Sequence, residues 1–426
     1  MVKVIVIGGG WAGCAAAITA RKAGAEVTLL ERTDLLLGLG NVGGIMRNNG
    51  RYTAAEELIL LGAGELIEIT DECSRHKDLD FPGHKHASLY DVNLVEPTVR
   101  AKLQEMGINV RLETRIVDVR LEGQKVTAVM SAEEEWLEGD IFIESTGSTG
   151  PMGNCLRYGN GCSMCILRCP SYGPRISLSK RAGIEDILGQ RADDSYGAMS
   201  GSCKLSKGSL SQKVQDLLDR EGVVVLPVPP EDVNPEKLKI KVCQQYALQE
   251  YAENIVLLDT GYAKMMTSYY PLEKLRRIPG LEKVRYDDPY SGGRGNSIRY
   301  LSMAPRTNTM QVVGLENFLC AGEKAGLFVG HTEAICTGSL AGHNSVRLAL
   351  GIKLLELPRR LAIGDLIAYS NEMMESVEGR KSRYTFAGGL YFKHMQKEGL
   401  YSIDRNQLKD RVARFNLLDI FAEKLI

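Results

Sequence analysis

The stretch KVIVIGGGWAGCAAAITARKAGAEVTLLER, residues 3–32, decides the fold. It opens with a short apolar, β-branched run, which predicts a strand buried on both faces of a parallel sheet. Gly8, Gly10 and Gly13 then form a G-x-G-x-x-G motif, followed by an alanine-rich helix and a second strand that ends at Glu31. In such a unit the glycines allow a tight turn, close approach of a pyrophosphate and close helix packing, and the acid accepts hydrogen bonds from a ribose. Because all these parts occur in order, the stretch predicts a dinucleotide site.

The bulk composition narrows the class of protein. A chain of 426 residues is long enough for two or three domains. A net charge of −1 gives no broad attraction to nucleic acid or acidic membranes. The sequence has no run that is long and apolar enough to span a bilayer, and its start is not typical of a signal peptide. Ten cysteines without an export signal favour a reducing compartment, so we expect a cytoplasmic protein.

Three later pieces extend the nucleotide-binding pattern. Residues 97–130 predict a helix and then strands with a hairpin near Glu122 and Gly123, and the next predicted strand breaks at Thr146 and Gly147. Before them, the glycine-rich loop GLGNVGGIMRNNG (residues 38–50) either allows close approach of a bulky cofactor or is a flexible surface loop. Near the far end, a strand is followed by Gly322 and Glu323, a glycine turn and a helix from about Thr332. Together these pieces resemble the FAD-binding fold of the glutathione-reductase-like flavoproteins. The resemblance implies FAD rather than NAD, with the N-terminus of the late helix directed at the flavin ring.

The motif and the resemblance together define the candidate cofactor-binding residues. They are Gly8, Gly10, Trp11, Ala12, Gly13, Glu31, Arg32, Gly43, Gly44, Thr146, Gly147, Gly322, Glu323, Gly330, His331 and Thr332. His331 is also the candidate catalytic residue, either as a hydrogen-bond partner of the flavin's pyrimidine end or as an acid. The alternative for His331 is a capping or packing role.

A narrower likeness lies in CAGEKAG (residues 320–326) and GHTEAICTGSLAGHNSVR (residues 330–347). These segments are similar to the GidA/TrmFO group of folate- or flavin-linked RNA-modifying proteins. In that group TrmFO makes 5-methyluridine in tRNA with methylenetetrahydrofolate and FAD. TrmFO carries a cysteine-containing motif after its first βαβ unit, whereas this chain has MRNNGRYTAAEEL (residues 46–58) without cysteine. The resemblance therefore extends to the FAD site and not to the methylation chemistry.

A cysteine cluster has no counterpart in the TrmFO pattern. Cys155, Cys162, Cys165 and Cys169 are spaced C-x6-C-x2-C-x3-C-P, which predicts thiolate ligands of a [4Fe–4S] cluster, with Cys203 as an alternative fourth ligand. A zinc site and redox-active thiols are the alternatives for the same cysteines. The remaining cysteines are isolated, and we expect them to be buried or incidental; they are Cys14, Cys73, Cys243, Cys320 and Cys336.

The predicted fold class is α/β, a Rossmann-like FAD-binding domain in three layers with a β-meander, interrupted by a second α+β domain. We assign residues 1–155 and 296–355 to the FAD-binding domain and residues 156–295 to an inserted cluster or substrate domain. Residues 356–426 are predicted to form a C-terminal helical segment.

The function predicted from the sequence is that of an FAD-dependent oxidoreductase with a [4Fe–4S] cluster. Flavin and cluster would exchange electrons with a small-molecule or protein donor, and we expect no membrane association. One alternative is a TrmFO-like, folate- and FAD-dependent RNA uridine methyltransferase, for which nucleic acid would be the partner. Another is a redox-sensing flavoprotein without turnover.

Overall fold

A five-stranded parallel sheet forms the centre of the molecule. The computed structural model describes residues 1–147, 171–196, 202–239, 244–267, 270–288, 293 and 301–426. The sheet order is Phe318–Cys320, Ile141–Glu144, Lys3–Ile7, Glu26–Leu30 and Asn109–Arg111. Every neighbouring pair is parallel, with Val4 in register with Val27 on one side and Ile141 on the other. The predicted α/β class with a Rossmann-like core is confirmed.

Helices alternate with these strands and continue to the C-terminus. Those of the described residues are Trp11–Lys22, Gly40–Gly43, Gly50–Leu60, Glu65–Glu72, Val95–Glu105, Leu178–Arg181, Gln212–Glu221, Glu236–Lys239, Glu250–Glu253, Leu272–Leu275, His331–Ala349, Ala362–Met374, Val377–Arg380, Gly389–Lys397 and Arg405–Ala413. Short 3-10 turns cover Lys207–Ser209, Pro230–Asp232, Gln244–Tyr246, Gly322–Lys324 and Ile420–Ala422. Within these ranges no helix is long and apolar enough to cross a membrane.

In the part of the chain that the structure describes, four antiparallel sheets accompany the parallel one. The predicted meander is present as Ile116–Glu122, Lys125–Ser131 and Trp136–Glu138. A second sheet joins Ile45–Met46, His84–Tyr90 and Ser74–Phe81, and a third joins Cys203–Leu205, Ala263–Met265, Asn254–Asp259 and Val223–Pro227. Ile187–Leu188 pairs with Ser302–Met303.

The third of these sheets, which we call the inserted sheet, has a core of its own. Buried side chains on that sheet and its helices, including Leu205, Leu218 and Leu257, pack together away from the main core. A smaller core joins the inserted sheet to the hairpin of residues 74–90, where Phe81 packs with Val256. The hairpin falls inside the predicted segment 1–155, yet its apolar face is shared with the inserted segment. The two predicted domains are therefore in contact through this hairpin.

The C-terminal helices share the main core with the parallel sheet. Ile363 and Tyr391 are fully buried in that core. The buried Glu57 carboxylate accepts hydrogen bonds from the backbone N–H groups of Ala362 and Ile363, at 3.0 and 3.1 Å. These bonds satisfy two of the amides that the start of helix Ala362–Met374 leaves without intrahelical partners.

The tightest packing joins the first helix, Trp11–Lys22, to the long helix, His331–Ala349. A Cβ atom added at Gly338 would lie 2.1 Å from the carbonyl oxygen of Ala12, and one at Gly342 would lie 2.1 Å from that of Ala16. Only glycine fits at either position, so the two backbones touch directly. The Thr19 hydroxyl strengthens this contact by donating to the carbonyl of Ser339 at 2.9 Å.

Substitution of Gly338 tests this contact. We expect Gly338→Ala to lower the free energy of unfolding by about 1–3 kcal/mol, because the new methyl group forces the two helices apart. The control is Gly208→Ala, since a Cβ there meets no atom within 4 Å. Thermal or urea unfolding of both variants measures the effect, and equal stability of the two would contradict the close packing.

Candidate functional site

The carboxyl ends of the parallel strands open into one cleft. Its lining includes Gly8, Glu31, Thr146 and Gly322, which follow four of the five strands. In parallel α/β sheets the crevice outside the carboxyl ends of the strands is the usual place for a ligand. The sheet topology therefore brings motifs that are more than 300 residues apart in the sequence to one site.

The glycine loop has the geometry that its motif predicts. Gly8 has a φ of +103°, and a Cβ atom there would lie 2.5 Å from the carbonyl oxygen of Ser145. A Cβ atom at Gly13 would lie 1.8 Å from the carbonyl oxygen of Gly8. At Gly10, by contrast, a Cβ atom meets nothing within 4 Å, and Gly10 lines the cleft. Gly8 and Gly13 thus permit the fold, while Gly10 leaves open space in front of the first helix.

The N-terminus of the first helix is available to a ligand. Gly10 is its N-cap, and no side chain makes a capping hydrogen bond there. The amides of the first turn have no intrahelical acceptor, and the helix dipole adds positive potential at this end. An uncapped helix start beside an open glycine is suited to an anionic group such as a phosphate.

Glu31 is fixed at the other side of the loop. Its Oε2 accepts from the backbone N–H of Gly9 at 2.7 Å. Its Oε1 accepts from the backbone N–H and the hydroxyl of Thr33, at 3.0 and 2.9 Å. Glu31 lines the cleft, and a carboxylate has acceptor capacity beyond these three bonds. The carboxylate is therefore held in position and can still accept from a hydroxyl group of a ligand.

The long helix begins at the far end of the cleft with His331. The His331 ring lies 5.8 Å from the Trp11 ring, and its Nδ1 lies 3.3 Å from the Tyr90 hydroxyl. Burial, with smaller contributions from the charges of Arg51 and Lys264, lowers the pKa of His331 to about 3. The imidazole is therefore neutral near pH 7. It can act there as a hydrogen-bond partner, and the acid role considered for its protonated form is disfavoured.

Arg51 occupies the same end of the cleft, and sequence reasoning missed it. Its guanidinium pairs with the fully buried carboxylate of Glu333 at 3.2 Å and donates to the Asn48 amide oxygen at 3.2 Å. A Cβ atom at Gly330 would lie about 2 Å from both charged groups, so the backbone at the start of the long helix passes directly over this pair. The sequence MRNNGRY, residues 46–52, gives one signal for a role of Arg51, because two arginines lie there beside two consecutive asparagines.

Most of the candidate cofactor-binding residues meet in the cleft. Those that line it are Gly8, Gly10, Trp11, Ala12, Glu31, Arg32, Gly43, Thr146, Gly147, Gly322, Glu323, Gly330 and His331. Gly13, Gly44 and Thr332 are not part of the lining. Gly13 packs under the loop, Gly44 lies against Thr260, and the buried Thr332 hydroxyl is near the sulfur of Met46.

The cleft also has lining residues from parts of the chain that carry no nucleotide motif. Besides Arg51 they include Gln245, Tyr246, Lys264 and Met266, which belong to the inserted segment. Lys264 is buried, and its ammonium group donates to the Val42 carbonyl at 2.6 Å. The inserted sheet thus completes the end of the cleft where His331 lies.

The four cysteines of the predicted cluster, Cys155, Cys162, Cys165 and Cys169, lie outside the described residues, as does Cys243. Cys203 is described: its buried thiol donates to the Gly293 carbonyl at 3.2 Å. In the described ranges, no group of three or more His, Cys, Asp or Glu side chains could hold a metal ion. The cluster stays a prediction from spacing.

The other described cysteines are placed as expected for buried thiols. Cys14, Cys320 and Cys336 are buried, and Cys73 is half-buried. Burial raises the pKa of each, to about 12 at Cys320. A raised pKa disfavours the reactive thiolate. None of the five cysteines whose positions are described lines the cleft.

Comparison with known proteins gives one family match over most of the chain. The GIDA family, glucose inhibited division protein A, matches residues 3–253 and 252–353. Two curated relatives are methylenetetrahydrofolate–tRNA-(uracil-5-)-methyltransferases TrmFO. The one from Desulfotalea psychrophila is 32% identical over 28% of this chain and 26% of its own length. The one from Enterococcus faecalis is 29% identical over 34% of this chain and 29% of its own length.

A solved structure extends the likeness to nearly the whole chain. GidA from Aquifex aeolicus superposes with a TM-score of 0.65 over 97% of this chain and 76% of its own, at 16% identity. At that identity the likeness shows the fold alone. The sequence matches to the curated relatives span less than a third of their length.

The state of His331 is testable by its titration. The folded pKa of about 3 lies below the ordinary value of 6.5, so the unfolded chain binds the proton first as the pH falls. His331 therefore lowers stability progressively below about pH 6.5, by about 2 kcal/mol at pH 5. We expect the histidine ¹³Cε1 resonance that disappears in His331→Gln to stay at its neutral position from pH 8 to 5. A resonance that titrates between pH 6 and 7 would contradict the lowered pKa of His331.

Proposed function

This chain belongs to the GIDA family, and we propose from that membership and from its cleft that it is an FAD-dependent enzyme that modifies uracil in RNA. One observation supports the proposal most directly. The same cleft is lined by the glycine loop, by Glu31, by the Gly322 turn and by the start of the long helix. The matched family and relatives favour this TrmFO-like alternative over the oxidoreductase with a [4Fe–4S] cluster that was predicted first from the sequence.

The residues of the cleft fit FAD. The open space at Gly10 and the uncapped helix start would hold the pyrophosphate, and Glu31 would accept from ribose hydroxyl groups. Gly322 and His331 would line the part of the cleft that takes the rest of the cofactor. When bound, FAD supplies the transfer of one or two electrons to or from a substrate.

The chain's own residues shape the electrostatics at the His331 end. Arg51 and Lys264 are buried cations there, and Glu333 balances Arg51 from beneath the helix start. Neutral His331 and the start of the long helix add hydrogen-bonding groups and positive potential. This end of the cleft therefore favours a ligand that carries or gains negative charge.

The substrates come from the relatives. The two TrmFO relatives are named for methylenetetrahydrofolate and for the uracil of tRNA. We extend both to this chain as the proposed donor and acceptor. Uracil and a folate ring are flat heterocycles, which suits a cleft lined by Tyr246 and Met266 beside the cofactor residues.

A second candidate is the oxidoreductase with a [4Fe–4S] cluster. The cysteine spacing at 155–169 favours it. So does the segment 46–58, where TrmFO carries a cysteine motif and this chain instead extends Arg51 into the cleft. In this alternative the cluster would pass single electrons between the flavin and an external donor.

One preparation separates the two candidates. Protein purified without oxygen is assayed for flavin, iron and acid-labile sulfide, and its visible spectrum is recorded before and after dithionite. It is then incubated with methylenetetrahydrofolate, a reductant and an unmodified tRNA transcript, and 5-methyluridine is measured by mass spectrometry. Flavin with 5-methyluridine formation supports the proposal. Flavin, iron and sulfide without RNA product support the second candidate, and protein that binds no flavin contradicts both.

The fit of FAD predicts the effect of a side chain at Gly10. Because a Cβ there meets no protein atom within 4 Å, Gly10→Val should leave the fold intact and fill the space in front of the helix start. We expect FAD binding to weaken at least about tenfold, as for the loss of a phosphate contact. Isothermal titration of apoprotein with FAD measures this, with Gly208→Val as the matched control. Unchanged FAD affinity in Gly10→Val would place the pyrophosphate elsewhere.

A further inference from the structure

Gln245 is a buried side chain of the cleft whose hydrogen bonding is incomplete. It is 4% exposed, lines the cleft, and its Oε1 has no hydrogen-bond partner among the described residues. A buried amide oxygen without a partner is unfavourable, and such groups are rare in folded proteins. Because Gln245 lines a ligand cleft, a ligand group is the natural partner for its unpaired amide oxygen.

The backbone of Gln245 is held from two sides. Its carbonyl oxygen lies 3.0 Å from His84 Nε2. A Cβ atom at Gly388 would lie 2.5 Å from the Gln245 Cβ, so the C-terminal segment packs directly against the residue. These contacts fix the start of the side chain, while the amide oxygen at its end has no partner among the described residues.

A chain of hydrogen bonds connects Gln245 to the opposite wall. Asn48 donates through Nδ2 to His84 Nδ1 at 2.9 Å, and its Oδ1 accepts from Arg51 at 3.2 Å. With Nδ1 as acceptor, the His84 proton lies on Nε2 and is donated to the Gln245 carbonyl. Burial lowers the pKa of His84 to about 3, which keeps the ring in this neutral form. The chain Glu333–Arg51–Asn48–His84–Gln245 therefore sets the position of Gln245 relative to the cofactor residues.

An aromatic surface lies beside the amide. Tyr246 lines the cleft, and its ring packs 4.8 Å from the His84 ring, which in turn stacks on Phe81 at 4.7 Å. A flat ligand ring can pack on such a surface while its edge meets the neighbouring amide.

We propose that Gln245 is a recognition residue for a planar heterocycle with a lactam or imide edge, which it contacts through paired hydrogen bonds. A primary amide presents a donor and an acceptor side by side, and their complement is an adjacent N–H and C=O. This complement is kept if the amide rotates by 180°. The inference rests on the proposed function and adds to it a residue that selects the ring. The edge belongs either to the second substrate or to the flavin's own imide.

The test compares Gln245→Leu with Gln244→Leu, an exposed neighbour of the same residue type. The probes are lumazine, which has lactam and imide edges, and 1,3-dimethyllumazine, in which both N–H groups of the imide ring are blocked. Equilibrium dialysis measures their binding to the holoprotein, and titration of the apoprotein measures FAD binding. Gln245→Glu, which has the same shape, replaces Gln245→Leu if the leucine variant does not fold.

We expect Gln245→Leu to weaken lumazine binding about tenfold with FAD affinity unchanged, and the dimethyl compound to bind about tenfold more weakly than lumazine to the unsubstituted protein. This result assigns the edge to a second substrate. A tenfold loss of FAD affinity instead assigns it to the flavin imide. If both variants match the unsubstituted protein with every ligand, the inference is wrong. Protein that binds no flavin would contradict the proposed function, and Gln245→Leu and Gln244→Leu would then be compared in the flavin-free protein with the same two probes.

Discussion

The direct contact between the first helix and the long helix is the constraint on which the site depends. At Gly338 and Gly342 the long helix touches the backbone of the first helix at Ala12 and Ala16. Two helices that pack this closely begin at the same edge of the sheet, and the rings of Trp11 and His331 are consequently 5.8 Å apart. The positive ends of two helix dipoles then face one cleft. The positive potential expected at the cleft is thus a result of helix packing as much as of any charged side chain.

Burial of charge at the His331 end is a second constraint. Arg51 and Glu333 are both nearly inaccessible to solvent, and a buried ion pair is stable only when its remaining hydrogen bonds are made. Glu333 accepts from the Thr385 hydroxyl and the backbone N–H of Phe386, at 2.6 and 2.9 Å, which ties the C-terminal segment to the start of the long helix. The same carboxylate therefore holds Arg51 in the cleft and anchors a segment that is more than fifty residues away.

The sequence predicted the dinucleotide half of this arrangement well because its determinants are local. Strand, glycine loop, helix and acid follow one another between residues 3 and 32, and each has its own steric or hydrogen-bonding reason. Gly44 and Thr332 were also predicted to bind the cofactor, but they do not line the cleft. A motif gives the position of a loop and not the direction of each residue in it. Gln245 and Arg51 carry no motif at all. They reach the cleft through sheet pairing and hairpin packing, which periodicity and spacing do not encode.

The difference between local motifs and residues placed by tertiary packing also bears on how the chain relates to its relatives. Sequence identity with the TrmFO proteins is confined to about a third of this chain, whereas the fold of GidA covers 97% of it. At Gly8 and Gly13 an added Cβ atom would lie 2.5 and 1.8 Å from a carbonyl oxygen, so the fold itself restricts these two positions to glycine. The inserted sheet has only to present side chains at one end of the cleft, and many sequences satisfy that requirement while the fold is kept. We therefore expect the inserted segment and the hairpin that packs on it, rather than the glycine loop, to determine the choice of substrate.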